Sequence, residues 1–139
     1  MLLLDTNILS ELRKLNSDKI HPAVQKWAEA TPFSQSYISA ISLTKIKMGI
    51  LSLARKDPTQ TNRLQSWFEH VILQDYQARI LPVDEAVALH CASLHIPDKK
   101  PINDTFIAAT AWVHDLVLVT RNVKDFEQIG MKLLNPFDY

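Results

Sequence analysis

Residues 101–127 read PINDTFIAATAWVHDLVLVTRNVKDFE. From Asp104 onward, the run Phe106-Ile107-Ala108-Ala109-Thr110-Ala111 suits a helix through His114, and Leu116–Val119 is a short continuous apolar run suited to a strand covered on both faces. The start of the chain shows the same strand signal, with Leu2-Leu3-Leu4 ending in Asp5-Thr6-Asn7. Working outward, strands are expected at Met1–Leu4, Tyr37–Ser39, Arg79–Pro82 and Lys132–Leu134. Helices are expected at Thr6–Arg13, at Pro22–Ala30 with Pro22 in its first turn, at Ser42–Arg55, at Pro58–His70 extending to Leu73, and from an Asp84 cap through Leu94. Asp104 is read as the start of the last long helix. Strands alternating with helices predict an α/β domain with a mostly parallel central sheet, occupying residues 1–139 as one unit.

Composition narrows the class. Hydrophobic residues make up 47% of the 139, enough for a packed core. Only two glycines occur, Gly49 and Gly130, which disfavours an all-β protein and excludes a glycine-rich phosphate loop. No apolar run approaches the ~20 residues of a membrane span, and the start lacks a signal-peptide pattern. The single Cys91 fits a reducing compartment, so a cytoplasmic protein is expected. Fifteen basic and fifteen acidic residues cancel, which argues against a general nucleic-acid coat but leaves room for a basic rim of Arg121, Lys124, Lys99 and Lys100 around an acidic centre.

The topology tells where that centre lies. In open α/β sheets, sites form outside the carboxyl ends of the strands. Asp5 follows the first strand, and Thr120, Arg121 and Asn122 follow the Leu116–Val119 strand. Each acid alone reads most simply as a helix cap. Asp5, Asp104, Asn122 and Asp125 together read as one acidic pocket, which needs a cation to offset carboxylate repulsion. Oxygen ligands without Cys or His suit Mg²⁺ or Mn²⁺, which activates water and stabilises charge on a phosphodiester. His90, Cys91 and His95 match no standard zinc spacing, and Trp27, Trp67 and Trp112 read as packing residues.

Five segments carry a resemblance: LLLDTNILSEL (2–12), YISAISLTKIKMGI (37–50), RILPVDEAVA (79–88), PINDTFIAATAWVHDLVLVTRNVKDFE (101–127) and NPFDY (135–139). In this order they resemble the PIN-domain ribonucleases, specifically the VapC toxins of VapBC toxin–antitoxin pairs near the FitB-like branch. The resemblance implies a three-layer α/β/α fold and a Mg²⁺- or Mn²⁺-dependent endoribonuclease, with transfer RNA the expected substrate and ribosomal or messenger RNA the alternatives. It implies Asp5 and Asp104 as metal ligands, Asn122 and Asp125 as further site residues, and Thr6, Asn7 and Thr120 as groups that hold the carboxylates by hydrogen bonds. It also implies a homodimer and a VapB-like antitoxin, through which alone operator DNA would be met.

Position 45 departs from that pattern. The resemblance calls for Glu where this chain has Lys45, and residues 41–56 contain no Asp or Glu. Ser42-Leu43-Thr44-Lys45 also reads as a capping box with its last letter reversed in charge, placing a cation in a first helical turn against the macrodipole. The expectation is that the Lys45 ammonium occupies the space of the metal and leaves the fold intact but inactive. The rival reading is a catalytically dead module that still binds its antitoxin.

Overall fold

The computed structural model describes residues 1–139 and contains a five-stranded, all-parallel sheet in the order β3-β2-β1-β4-β5. The strands are β1 (Leu2–Leu4), β2 (Ser36–Ser39), β3 (Ile80–Leu81), β4 (Val117–Val119) and β5 (Leu133–Leu134). Helices α1 (Thr6–Leu12) and α2 (Pro22–Ala30) connect β1 to β2. Helices α3 (Ala40–Leu53) and α4 (Pro58–Trp67) lead to β3, α4 running on through a π-helical turn over Phe68–Leu73. Helices α5 (Glu85–Ser93) and α6 (Ile102–Val113) then carry the chain across the sheet to β4. All five expected strands and all six helices are present.

Successive strand residues point to opposite faces, and this alternation builds the layers. Leu4, Ile38 and Val119 face a core with Ile8, Leu9, Val24, Trp27, Ile46, Ile50 and Ile72. Leu3 and Leu118 face the other way, onto Ile107, Ala108 and Ala111 of α6, with Phe126 closing the edge. Ala109 looks outward from the sheet and packs with Val87 and Cys91 of α5. Helix α6 is therefore apolar on nearly every side because it lies between the sheet and α5. The alanines let it sit close to β1 and β4. The result is the α/β/α sandwich expected from the sequence, and no helix is long and apolar enough to cross a membrane.

Two helix starts differ from expectation. Helix α3 begins at Ala40, not Ser42: Ser39 is its cap and its Oγ accepts the Ile41 N–H at 3.1 Å. Lys45 is thus the sixth helical residue, beyond the first turn, and the reversed capping box does not exist. Asp104 is no cap either, because α6 starts at Ile102 after Pro101 and Asp104 lies within its first turn. In both cases a residue further upstream already had extended backbone and could start the helix. Asp5 and Asp84 do cap, accepting from Thr6 and Val87.

The sheet order reverses between β1 and β4. Chain growth moves outward from β1 through β2 to β3, then returns to β4 on the other side, so a crevice opens above the β1–β4 junction. Ile107, fully buried in the layer under that junction, gives a direct test of the packing. Ile107→Ala is expected to lower unfolding free energy by about 2–5 kcal/mol, measured by urea denaturation.

Candidate functional site

Asp5 is the last residue before α1, and its backbone N–H still pairs with the Val119 carbonyl at 2.9 Å. The side chain is 2% exposed. A buried carboxylate requires donors. Oδ1 accepts the Thr6 N–H at 2.7 Å, and Oδ2 accepts the Thr120 hydroxyl at 2.8 Å and the Asn7 Nδ2 amide at 3.4 Å. Thr120 Oγ1 in turn accepts the Asn122 N–H at 3.1 Å and the Asn7 amide at 3.4 Å, while Asn7 Oδ1 accepts the Arg121 N–H at 3.2 Å. The expected supporting roles of Thr6, Asn7 and Thr120 thus coincide with a closed network joining the ends of β1 and β4.

Lys45 reaches this crevice from α3. Its Nζ lies 3.5 Å from Asp104 Oδ1, and both side chains are 29% exposed. Burial pushes the Asp5 carboxyl above its ordinary 3.8; the hydrogen bonds from Thr120 and Thr6 and the Lys45 charge pull it back only in part, and the Asp104 charge adds to the rise. The Lys45 cation and the Asp104 anion thus both act on Asp5, in opposite senses.

The remaining candidates stand further out. Asp125 is exposed and shares with Asp104 a cavity of about 290 Å³ also lined by Lys100, Thr105 and Lys124; Asp5 is not in its wall. Asn122 is exposed and joins the network through its backbone alone. Lys100 is not a free member of the basic rim, since its Nζ donates to the Leu94 carbonyl at 2.7 Å and the Asp98 carbonyl at 3.3 Å. His90 is stacked on Trp112 and Cys91 is buried.

Ser42, which reads in sequence as a helix cap, and Thr105, which carries no signal of its own, also shape the site. Ser42 is fully buried, and its Oγ accepts from the Thr6 hydroxyl at 3.3 Å, locking α3 to α1 beneath Lys45. Thr105, beside Asp104, donates to the Pro101 carbonyl at 2.6 Å and pins the first turn of α6. Both are small hydroxyl residues, and only their burial marks them.

The side chains present do not fit a divalent cation well. No group of three or more His, Cys, Asp or Glu side chains converges anywhere in the molecule. At Asp104, whose charge acts on Asp5, an ammonium already stands within 3.5 Å. A divalent ion there would meet a like charge at contact distance.

Comparison with known proteins agrees with this fold. The PIN domain family matches residues 2–132. The chain is similar to the VapC ribonuclease Y4jK of Sinorhizobium fredii, at 32% identity over 99% of both chains, and to the toxin FitB of Neisseria gonorrhoeae, at 34% identity over 99% of both. The crystal structure of FitAcB from Neisseria gonorrhoeae superposes with a TM-score of 0.87 at 30% identity, covering 100% of both chains. This chain belongs to the PIN-domain family, in the branch that holds these FitB- and VapC-type proteins.

The Asp5 environment predicts a pH signature. A raised acid pKa means that the folded state holds the proton more tightly than the unfolded chain, so the contribution of Asp5 to stability is full below 3.8 and is lost as pH climbs through its folded pKa. Asp5→Asn has no proton to lose. Its stability relative to the parent is expected to rise between about pH 3 and pH 7, as read from urea midpoints across that range. A pH-independent difference would contradict the burial argument.

Proposed function

We propose that this chain is the toxin component of a VapBC-type toxin–antitoxin pair whose underlying chemistry is metal-dependent cleavage of RNA, and that Lys45 has switched this chemistry off. The observation that carries the reading is the Lys45–Asp104 ion pair at 3.5 Å, set beside the buried Asp5 at the carboxyl end of β1. On the resemblance to VapC-type PIN-domain nucleases, we read the two carboxylates as the pair that would gather a Mg²⁺ or Mn²⁺ ion. In place of the acid that would complete that set, α3 presents an ammonium.

Magnitudes favour the ammonium. At about 4 Å and an effective dielectric near 20, one charge pair is worth on the order of 4 kcal/mol before desolvation. Replacing an acid by a lysine changes the local charge by two units, removing an attraction for the metal and adding a repulsion. The lysine is also tethered, so it does not lose translational freedom on entering the crevice. Asp5 and its Thr120–Asn7 network keep their hydrogen bonds throughout, so the fold does not depend on which cation is present.

The same reading covers the partners. Several similar structures are complexes, one of them FitAB bound to a DNA fragment. This supports a VapB-like antitoxin as the partner of this chain, with operator DNA contacted through that antitoxin, since the chain itself is neutral overall. An apolar cavity of about 210 Å³ between α1, α2 and α4, lined in part by Leu9, Leu12, Trp27, Trp67 and Ile72, supports a protein-binding face on the layer opposite α6. Leu89, Ile96, Ile102 and Trp112 are exposed on the α5–α6 side and support a homodimer. We place the protein in the cytoplasm as a single PIN-like domain, and transfer RNA is the substrate we assign to the intact chemistry.

Position 45 decides between a silenced and a working nuclease. Total transfer RNA incubated with Mg²⁺, Mn²⁺ or EDTA is expected to stay intact with the parent chain. Lys45→Glu is expected to cleave it, at least 100-fold faster (about 2.7 kcal/mol in barrier), with EDTA abolishing the gain. Equal metal-dependent cleavage by both chains would overturn the role given to Lys45. Cleavage by Lys45→Glu of ribosomal or messenger RNA alone would keep the chemistry and replace the substrate.

A further inference from the structure

Two arginines in this molecule lie over aromatic rings, and they differ in what their donors do. The Arg79 guanidinium sits 4.2 Å from the Phe33 ring centroid and 4.7 Å from that of Tyr76. Its nitrogens are consumed by the carbonyls of Phe33, Ser36 and Asp75 at 2.6–2.9 Å. Arg79 is a bracket between the segments that carry β2 and β3.

Arg121 is held by the same kind of contact but spends none of its side-chain donors. Its guanidinium lies 4.4 Å from the centroid of Phe137, which His21 braces edge-on at 5.2 Å. Phe137 is itself fixed, its N–H donating to Asn135 Oδ1 at 3.0 Å and its ring packing on the main core. Arg121 is exposed, makes no side-chain hydrogen bond and belongs to none of the three ion pairs, although it stands one residue beyond Thr120, the partner of Asp5. The stack on Phe137 gives the exposed guanidinium a fixed seat, and the Arg121 backbone N–H ties the residue to Asn7 of the Asp5 network. Lys124, also exposed and outside those ion pairs, lines the neighbouring cavity with Asp104 and Asp125.

We propose that Arg121 is an RNA-contacting residue: its outer face stacks an unpaired nucleobase at the mouth of the crevice, and Lys124 meets the adjoining phosphate. A guanidinium backed by one aromatic ring keeps a second flat face and a fork of N–H donors, which match a base plane and a phosphate together. An ammonium or a carboxylate-seeking surface would need no such backing. The inference rests on the RNA reading above and adds to it that binding survives without metal and without cleavage, because neither Arg121 nor Lys124 depends on the occupant of the Asp5–Asp104 crevice.

The test is fluorescence anisotropy of the full chain with a labelled RNA hairpin bearing an unpaired loop, in EDTA. The parent is expected to bind. Arg121→Ala should weaken binding about tenfold or more, the loss of one stacked base. Arg121→Lys keeps the charge but not the plane, and should lose nearly as much while its salt dependence stays parental. Lys124→Ala should weaken binding and flatten the slope of log affinity against log salt by about 0.7. Unfolding midpoints equal to the parent's exclude a folding defect. Parental affinity in Arg121→Lys or in Arg121→Ala, no binding by the parent, or equal competition by polyglutamate would each overturn the proposal. Cleavage by Lys45→Glu alongside any of those results would show that the stacking assignment failed while the nuclease reading stood.

Discussion

A carboxylate with 2% exposure constrains everything around it. Asp5 is the point where β1 ends, and its charge has lost water on nearly every side. The compensating donors come from two directions: the start of its own helix, and the hydroxyl of Thr120 at the end of β4. That arrangement requires β1 and β4 to be neighbours although 115 positions separate Asp5 from Thr120. The crossovers through α1–α4 and α5–α6 deliver that neighbourhood, and the alanine-rich face of α6 lets the layers close over it. The local arrangement of the crevice follows from keeping one buried acid satisfied.

The contacts that satisfy Asp5 are separate from the charge that faces it. Hydrogen bonds to Asp5 come from Thr6, Asn7 and Thr120, none of which depends on what lies above the crevice. The charge above it is a separate matter. An acid reaching from α3 would deepen the negative field and demand a divalent ion; Lys45 reaching from the same helix supplies a single positive charge and leaves no such demand. The hydrogen bonds of Asp5 and the Lys45–Asp104 ion pair are thus separate sets of contacts.

Much of the site could be read directly from the chain because its parts lie where strands end. Leu2-Leu3-Leu4 before Asp5 and Val117-Leu118-Val119 before Thr120 announce buried parallel strands, and the carboxyl-end rule then places Asp5 and Thr120. Local helix starts were less legible. Ser39 and Ser42 are both good caps, and only the backbone of β2, which is still extended at Ser39, selects the first. Asp104 was read as a helix start for the same reason, when the chain had already turned helical after Pro101.

By itself the sequence determined the α/β class and the five strands, because each depends on patterns within a few residues; the mismatch at position 45 came from the family resemblance. Tertiary structure alone decided which acids face one another. It set Lys45 against Asp104, put Asp125 in the neighbouring cavity wall and confined Asn122 to a backbone contact. It alone separated the bracketing Arg79 from the free Arg121, two residues indistinguishable by type. The reason is geometric: pairing between distant segments depends on how layers are spaced and how side chains leave them, and no local pattern encodes a distance across the sheet.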